Sequence, residues 1–299
     1  MLFKGKDIKL GIAPIGWTND DMPDLGGDIS FERCISEMQE AGYEGTEIGN
    51  KYPKDADVLR GVLAEKGLTV ANRWFSTFLI TESYAVNEEA FIKECEFLKT
   101  VGARVIGCSE QSYSIQGKDI PVFEDKPVAN ELEMLRLCEG LNRLGKIALE
   151  KYGISLTFHH HMGTVIQTAE EIDRLMTGTD PRYVNLLFDS GHLAYCDQDY
   201  LAVLKKYVDR VKHVHLKDIR PKVVSKVKKE RLSFLDGVRL GAFTVPGDGV
   251  VDFASIFEIL DKAGYEGWLL VEAEQDPAIA NPSKYAKKAR TYIKKLTGI

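Results

Sequence analysis

The sequence predicts an α/β protein, a (β/α)8 TIM barrel built as one domain over residues 1–299. Three observations point there. Eight short β-rich runs alternate with longer stretches of helical periodicity along the chain. The fragment AGYEG occurs twice, at 41–45 and 263–267, each time ending a helix with glycine and opening a strand. No strand is followed by a GxGxxG or P-loop pattern, which disfavours the doubly wound open sheet, the alternative with the same alternation.

The strands follow in order. IKLGIAP (8–14) is the first, then GTEIG (45–49), LTVANRW (68–74) and ARVIGCS (103–109). ISLTFH (154–159), VNLLFD (184–189), VKHVHL (211–216) and WLLVEAE (268–274) complete the set. The helices between them show one apolar face each. In FERCISEMQEAG (31–42), Phe31, Cys34, Ile35, Met38 and Ala41 recur at helical spacing, and FASIFEILDKAG (253–264) repeats the pattern. Gly42, Gly67, Gly102, Gly153 and Gly264 stand where helices should stop. Two connections exceed what a barrel needs: 110–129 after the fourth strand, and 219–251 after the seventh. Long loops at the C-terminal ends of barrel strands close over sites.

Composition narrows the function classes. Apolar residues at 44% and charged residues at 28% belong to an ordinary globular protein, and the net charge of −6 argues against nucleic acid as a partner. The basic run KVVSKVKKER (222–231) reads as a solvated insert. Five scattered cysteines without CxxC spacing suggest neither a disulfide framework nor a zinc knuckle. No secretory leader and no run of about 18 apolar residues is visible, so the expectation is a cytoplasmic protein with no membrane partner. Assembly into a homo-oligomer is left open.

The chemistry gathers in one region. All six histidines lie within residues 159–215. Polar residues cluster at strand ends: Glu47, the run His159–His160–His161, Asp189 with His192 three residues on, His213 and His215, and Glu272 with Glu274. The C-terminal strand ends are where barrels of this type keep their active sites. Residues two apart on a strand share a face, so His213 pairs with His215, and His159 with His161, leaving His160 on the other side. Asp189, His215 and Glu272 on successive strands would converge, with His159 or His161 completing the set. Mixed imidazole and carboxylate donors suit Mn2+, Co2+, Zn2+ or Fe2+ better than Mg2+.

At these residues the chain resembles a known family. DSGH (189–192), HVHLKD (213–218) and LLVE (269–272) resemble the xylose-isomerase-like sugar isomerase/epimerase barrels. GIAPIGWTNDDMP (11–23), FHHHMGT (158–164) and DSGHLAY (189–195) narrow the likeness to the inosose dehydratases. The resemblance implies a hydro-lyase that removes water from 2-keto-myo-inositol, giving a trihydroxycyclohexane-dione, in inositol catabolism. It implies a divalent metal, Mn2+ or Co2+, held by Asp189, His215 and Glu272, and it brings His192 and Arg220 into the site. The epimerases carry a metal-binding Glu on the fifth strand; here that strand offers His159, with His161 second. The resemblance also carries an association with glutathione, for which no specific pattern is present.

These readings imply catalytic groups among Glu272, His159, His161 and His192. Metal ligands would be Asp189, His215, Glu272 and His159. A polyol ketone substrate would meet Trp17, Asn19, Glu47, Trp74, Lys217 and Arg220. The alternatives are a sugar or inosose isomerase/epimerase on the same barrel, which wants a second carboxylate, a DNA endonuclease, which wants a basic groove, and a non-catalytic sugar-binding protein.

Overall fold

The computed structural model describes residues 2–299. The first half of the chain runs β1 (Ile8–Ile12), α1 (Phe31–Glu40), β2 (Gly45–Glu47), α2 (Ala56–Glu65), β3 (Thr69–Asn72), β4 (Trp74–Thr77), α3 (Tyr84–Val101), β5 (Val105–Glu110) and α4 (Glu131–Ile147). The second half continues with β6 (Ser155–His159), α5 (Ala169–Gly178), β7 (Val184–Asp189), α6 (Ser190–Tyr195), α7 (Tyr200–Tyr207), β8 (Val211–Leu216) and β9 (Asp218–Ile219). It closes with α8 (Pro221–Glu230), α9 (Phe234–Arg239), β10 (Phe243–Thr244), α10 (Phe253–Lys262), β11 (Gly267–Val271) and α11 (Pro282–Thr297).

The main sheet is parallel throughout, in the order β3-β2-β1-β11-β8-β7-β6-β5-β4. Its two ends are consecutive in the chain. The stretch expected as one strand at 68–74 breaks at Arg73, β3 pairing with β2 and β4 with β5. The Asn72 side chain closes the break, its Oδ1 accepting a hydrogen bond from Gly107 N at 2.7 Å. Eight staves therefore ring the axis.

The helices between successive staves lay their apolar faces on that ring. In α1, Phe31, Cys34, Ile35 and Met38 are buried, and Ser30 caps the N-terminus by accepting from Arg33 N at 3.2 Å. The repeated junctions end alike: Gly42 and Gly264 take left-handed φ values of 84° and 72° after α1 and α10. Inside the ring, Trp268 and Leu270 pack with Ala13 and Ala71. Glycines make room for them, since a Cβ on Gly45 would lie 2.3 Å from the Trp268 ring and one on Gly11 2.6 Å from Leu270.

The 219–251 segment is not a loop. β9 and β10 form a two-stranded antiparallel sheet, and α8 and α9, which connect them, fold against it. Their buried residues Val224, Val227, Phe234, Val238 and Phe243 make a second core with Met22, Leu25, Val122, Met162 and Tyr195. The basic run is helix α8, with Val224 and Val227 inward and its lysines in solvent. The five cysteines are unpaired. Among the described residues no helix is long and apolar enough to cross a membrane.

Candidate active site

A cavity of about 650 Å³ opens at the C-terminal ends of the strands, walled by Glu47, Trp74, His159, His161, His215, Glu272 and Glu274. Strand register brings these groups together. Asp189 pairs with His215, and His215 with Leu270, so Glu272 stands two residues farther along the same face. His159 ends β6 on the neighbouring stave.

The donor atoms of His159, Asp189, His215 and Glu272 all lie within 4.8 Å of one another. His159 Nε2 is 3.4 Å from Asp189 Oδ2, and His215 Nδ1 is 3.6 Å from the same oxygen. His215 Nδ1 also meets Glu272 Oε2 in close ion-pair contact, and His215 Nε2 lies 3.6 Å from Glu47 Oε2. Yet both His215 ring nitrogens and Glu272 Oε2 are buried without a hydrogen-bond partner, as is His159 Nδ1. Buried polar atoms are ordinarily satisfied. His215 Nδ1 and Glu272 Oε2, unsatisfied and turned toward Asp189 Oδ2 and His159 Nε2, make a mixed imidazole and carboxylate set that fits a divalent transition metal. The second carboxylate oxygen of Asp189 is held apart from that point, accepting from His192 N at 2.8 Å as the cap of α6.

The three consecutive histidines divide. His159 and His161 face the cavity, whereas His160 turns outward and its Nε2 accepts from Asp189 N at 3.3 Å. His161 Nδ1 donates to Met162 O at 2.8 Å, which fixes the tautomer and leaves Nε2 as an acceptor. Burial pushes His159, His161, His192 and His213 below the ordinary imidazole range, and His160 down to about 3. His215 departs from them. Burial opposes its charge, but Glu272 and Asp189 outweigh it and push it up to about 10.

The acids split as well. Burial raises Glu47 to about 7 and Glu274 to about 8. Burial works the same way on Asp189 and Glu272, but Lys217 and the histidines, His215 foremost at Glu272, overcome it and hold both ionised.

The expected substrate contacts sort by position. Glu47 is on the wall, and so is Trp74, whose ring meets His159 and His161 edge-on at 5.4 and 5.7 Å. The other four are off it. Trp17 is 1% exposed within the core, its Nε1 donating to Glu37 at 2.7 Å. Asn19 spends its side-chain oxygen on Asp21 N and Met22 N, fixing a turn. Arg220 binds Asp248, Thr244 and the carbonyls of Gly241 and Phe243, bracing the β9–β10 pair. Lys217 is fully buried behind the wall, and His192 lies beside it beneath Phe243. The wall also includes Asp20, Arg73, Gln116 and Lys118, which sequence patterning did not single out. Gln116 Nε2 donates to Asp21 Oδ2 at 2.8 Å, joining the long loop after β5 to the loop after β1.

Fold and site together define a barrel of the enzyme type, with a buried donor set of a kind that fits a divalent metal at the C-terminal ends of its strands. The family model for the xylose isomerase-like TIM barrel matches residues 35–296. The inosose dehydratase of Clostridium perfringens strain 13 is 61% identical over 294 residues, covering 98% of this chain and 99% of the relative. That of Geobacillus thermodenitrificans is 57% identical over 299 residues, covering 100% of each. The chain belongs to the xylose isomerase-like TIM barrel family and, within it, to the inosose dehydratases. Among solved structures, the IolI protein with a bound zinc atom superposes with a TM-score of 0.72 at 16% identity, over 97% of this chain and 100% of that one. A probable 3-DHS dehydratase from Bacillus anthracis gives 0.68 at 13% identity, over 95% and 98%. These likenesses support the fold.

Proposed function

We propose that the protein removes water from 2-keto-myo-inositol, giving a trihydroxycyclohexane-dione, and works as one barrel domain in the cytoplasm. The observation that carries this is the buried His159–Asp189–His215–Glu272 donor set at the cavity floor of a chain so similar, end to end, to named inosose dehydratases. The four residues would hold a divalent ion, Mn2+ or Co2+ in our reading. When bound, such an ion supplies Lewis acidity at the substrate's ketone oxygen.

The protein's own groups do the rest. With His159 and Glu272 engaged as ligands, the free acceptor on the cavity wall is His161 Nε2; of the two wall acids that burial raises, Glu274 faces Lys217 at 3.6 Å, which leaves Glu47 as the acid. His161 takes the proton from the carbon next to the ketone, and the electron pair moves toward the carbonyl. As the carbonyl re-forms, the bond from the next carbon to its hydroxyl breaks. Glu47 delivers a proton to the departing hydroxyl, and water leaves. The remaining enol tautomerises to the dione. General acid and base help of this kind contributes on the order of 10²–10⁴ in rate each. Trp74 lies beside His159 and His161 as an apolar wall for one face of the ring.

The test is product analysis in deuterated water. Wild type yields the dehydrated product, His161→Gln loses exchange of the substrate's α hydrogen, and Glu47→Gln keeps exchange while losing dehydration. An epimer formed without water loss would instead support the epimerase reading.

A further inference from the structure

Behind the donor set lies a second cluster. Donor atoms of His161, His192 and Glu274 also fall within 4.8 Å of one another, all three side chains buried. Its components are in ligand-ready form. His161 presents Nε2 as a lone pair, because Nδ1 is spent on Met162 O. His192 Nε2 accepts from the Lys217 ammonium at 3.1 Å, so the lone pair a metal would take faces the cluster. Glu274 Oε2 is buried with no hydrogen-bond partner. Two imidazoles and a carboxylate are a common transition-metal set.

A positive charge already stands there. Lys217 Nζ is 3.1 Å from His192 Nε2, 2.9 Å from Glu272 Oε1, and 3.6 Å from both Glu274 Oε1 and Asp189 Oδ2. It is 0% exposed and seals against the Phe243 ring at 4.7 Å. Gly191 permits this path, since a Cβ there would lie 2.4 Å from the Lys217 stem. We infer that the Lys217 ammonium occupies the seat of a second cation, so that the protein takes up one divalent ion and His161 stays free to face the substrate. A divalent ion in the His161–His192–Glu274 cluster would sit within a few ångströms of that ammonium, where like charges in a buried site repel strongly. Lys217 is thus a positioning residue, not a substrate contact. The inference rests on the proposed metal reading only for the first ion.

The experiment is metal counting by elemental analysis and Co2+ absorption titration, on stripped and reloaded protein. Wild type should bind one equivalent per chain, and Lys217→Met, which keeps the stem against Phe243, should bind two. Adding Glu274→Gln to Lys217→Met should return the count to one. Two equivalents in wild type, or one in both wild type and folded Lys217→Met, overturns the inference and leaves the metal reading intact. None in wild type but one in Lys217→Met supports the inference while sinking the metal reading, and none in either sinks both. Should Lys217→Met not fold, Lys217→Gln is counted in its place: a gain of one equivalent over wild type supports the inference, and no gain overturns it.

Discussion

His159 Nε2 and Asp189 Oδ2 face one another at 3.4 Å from neighbouring staves, at the floor of the cavity. The contact is long for a hydrogen bond, and both groups also face His215. Such spacing suits atoms that share a third partner. His159→Ala should therefore weaken divalent-metal binding by more than the roughly 10- to 100-fold that outer-shell changes cost. His160→Gln, whose side chain turns away but can still accept from Asp189 N, should change it by less than about tenfold. Calorimetric titration with Mn2+ distinguishes the two, and equal effects would contradict the inward–outward division.

Acid should unfold the metal-free protein through its histidines. His160 is held at about 3 in the folded state against an ordinary 6.5. The unfolded chain therefore binds the extra proton between these values, and the stabilising contribution, complete above about 6.5, is lost as pH falls toward 3. Each pH unit inside that window is worth about 1.4 kcal/mol per histidine of this kind. Thermal unfolding across pH 4–7 should show a shallower slope in His160→Gln than in wild type. An unchanged slope would mean that His160 titrates normally.

Arg220 braces the insert, so Arg220→Lys should lower stability by about 1–3 kcal/mol through lost hydrogen bonds while leaving KM within about twofold. Denaturant unfolding and steady-state kinetics on the same sample check this. A raised KM at unchanged stability would restore Arg220 to the substrate.

Gly45→Ala places a methyl against the Trp268 ring inside the barrel. Overpacking of this sort costs about 1–3 kcal/mol, read as a lowered Tm. An unshifted Tm would show that Trp268 can move aside.

Much of this architecture is legible in the sequence because it rests on local rules. Strand alternation alone puts His213 and His215 on one face, and helical periodicity alone assigns the buried side of α1. The break at Arg73 is not legible, since it depends on the Asn72 side chain reaching Gly107, a contact 35 residues away. The folded insert is hidden for the same reason: Phe234 and Phe243 find their core only with Met22, Val122 and Met162. Trp17 shows the limit of residue type, because an indole serves equally as a cavity wall or as core until its neighbours are known. Lys217 was expected at the substrate because it lies two residues past His215. Its length instead carries the ammonium behind the wall, into the carboxylates.

The most direct test of the account is turnover of 2-keto-myo-inositol by chelator-stripped protein, with and without added Mn2+ or Co2+, followed as loss of water by mass. The account predicts no dehydration without metal and restored dehydration with it. Full turnover by the stripped protein would contradict the role given to His159, Asp189, His215 and Glu272.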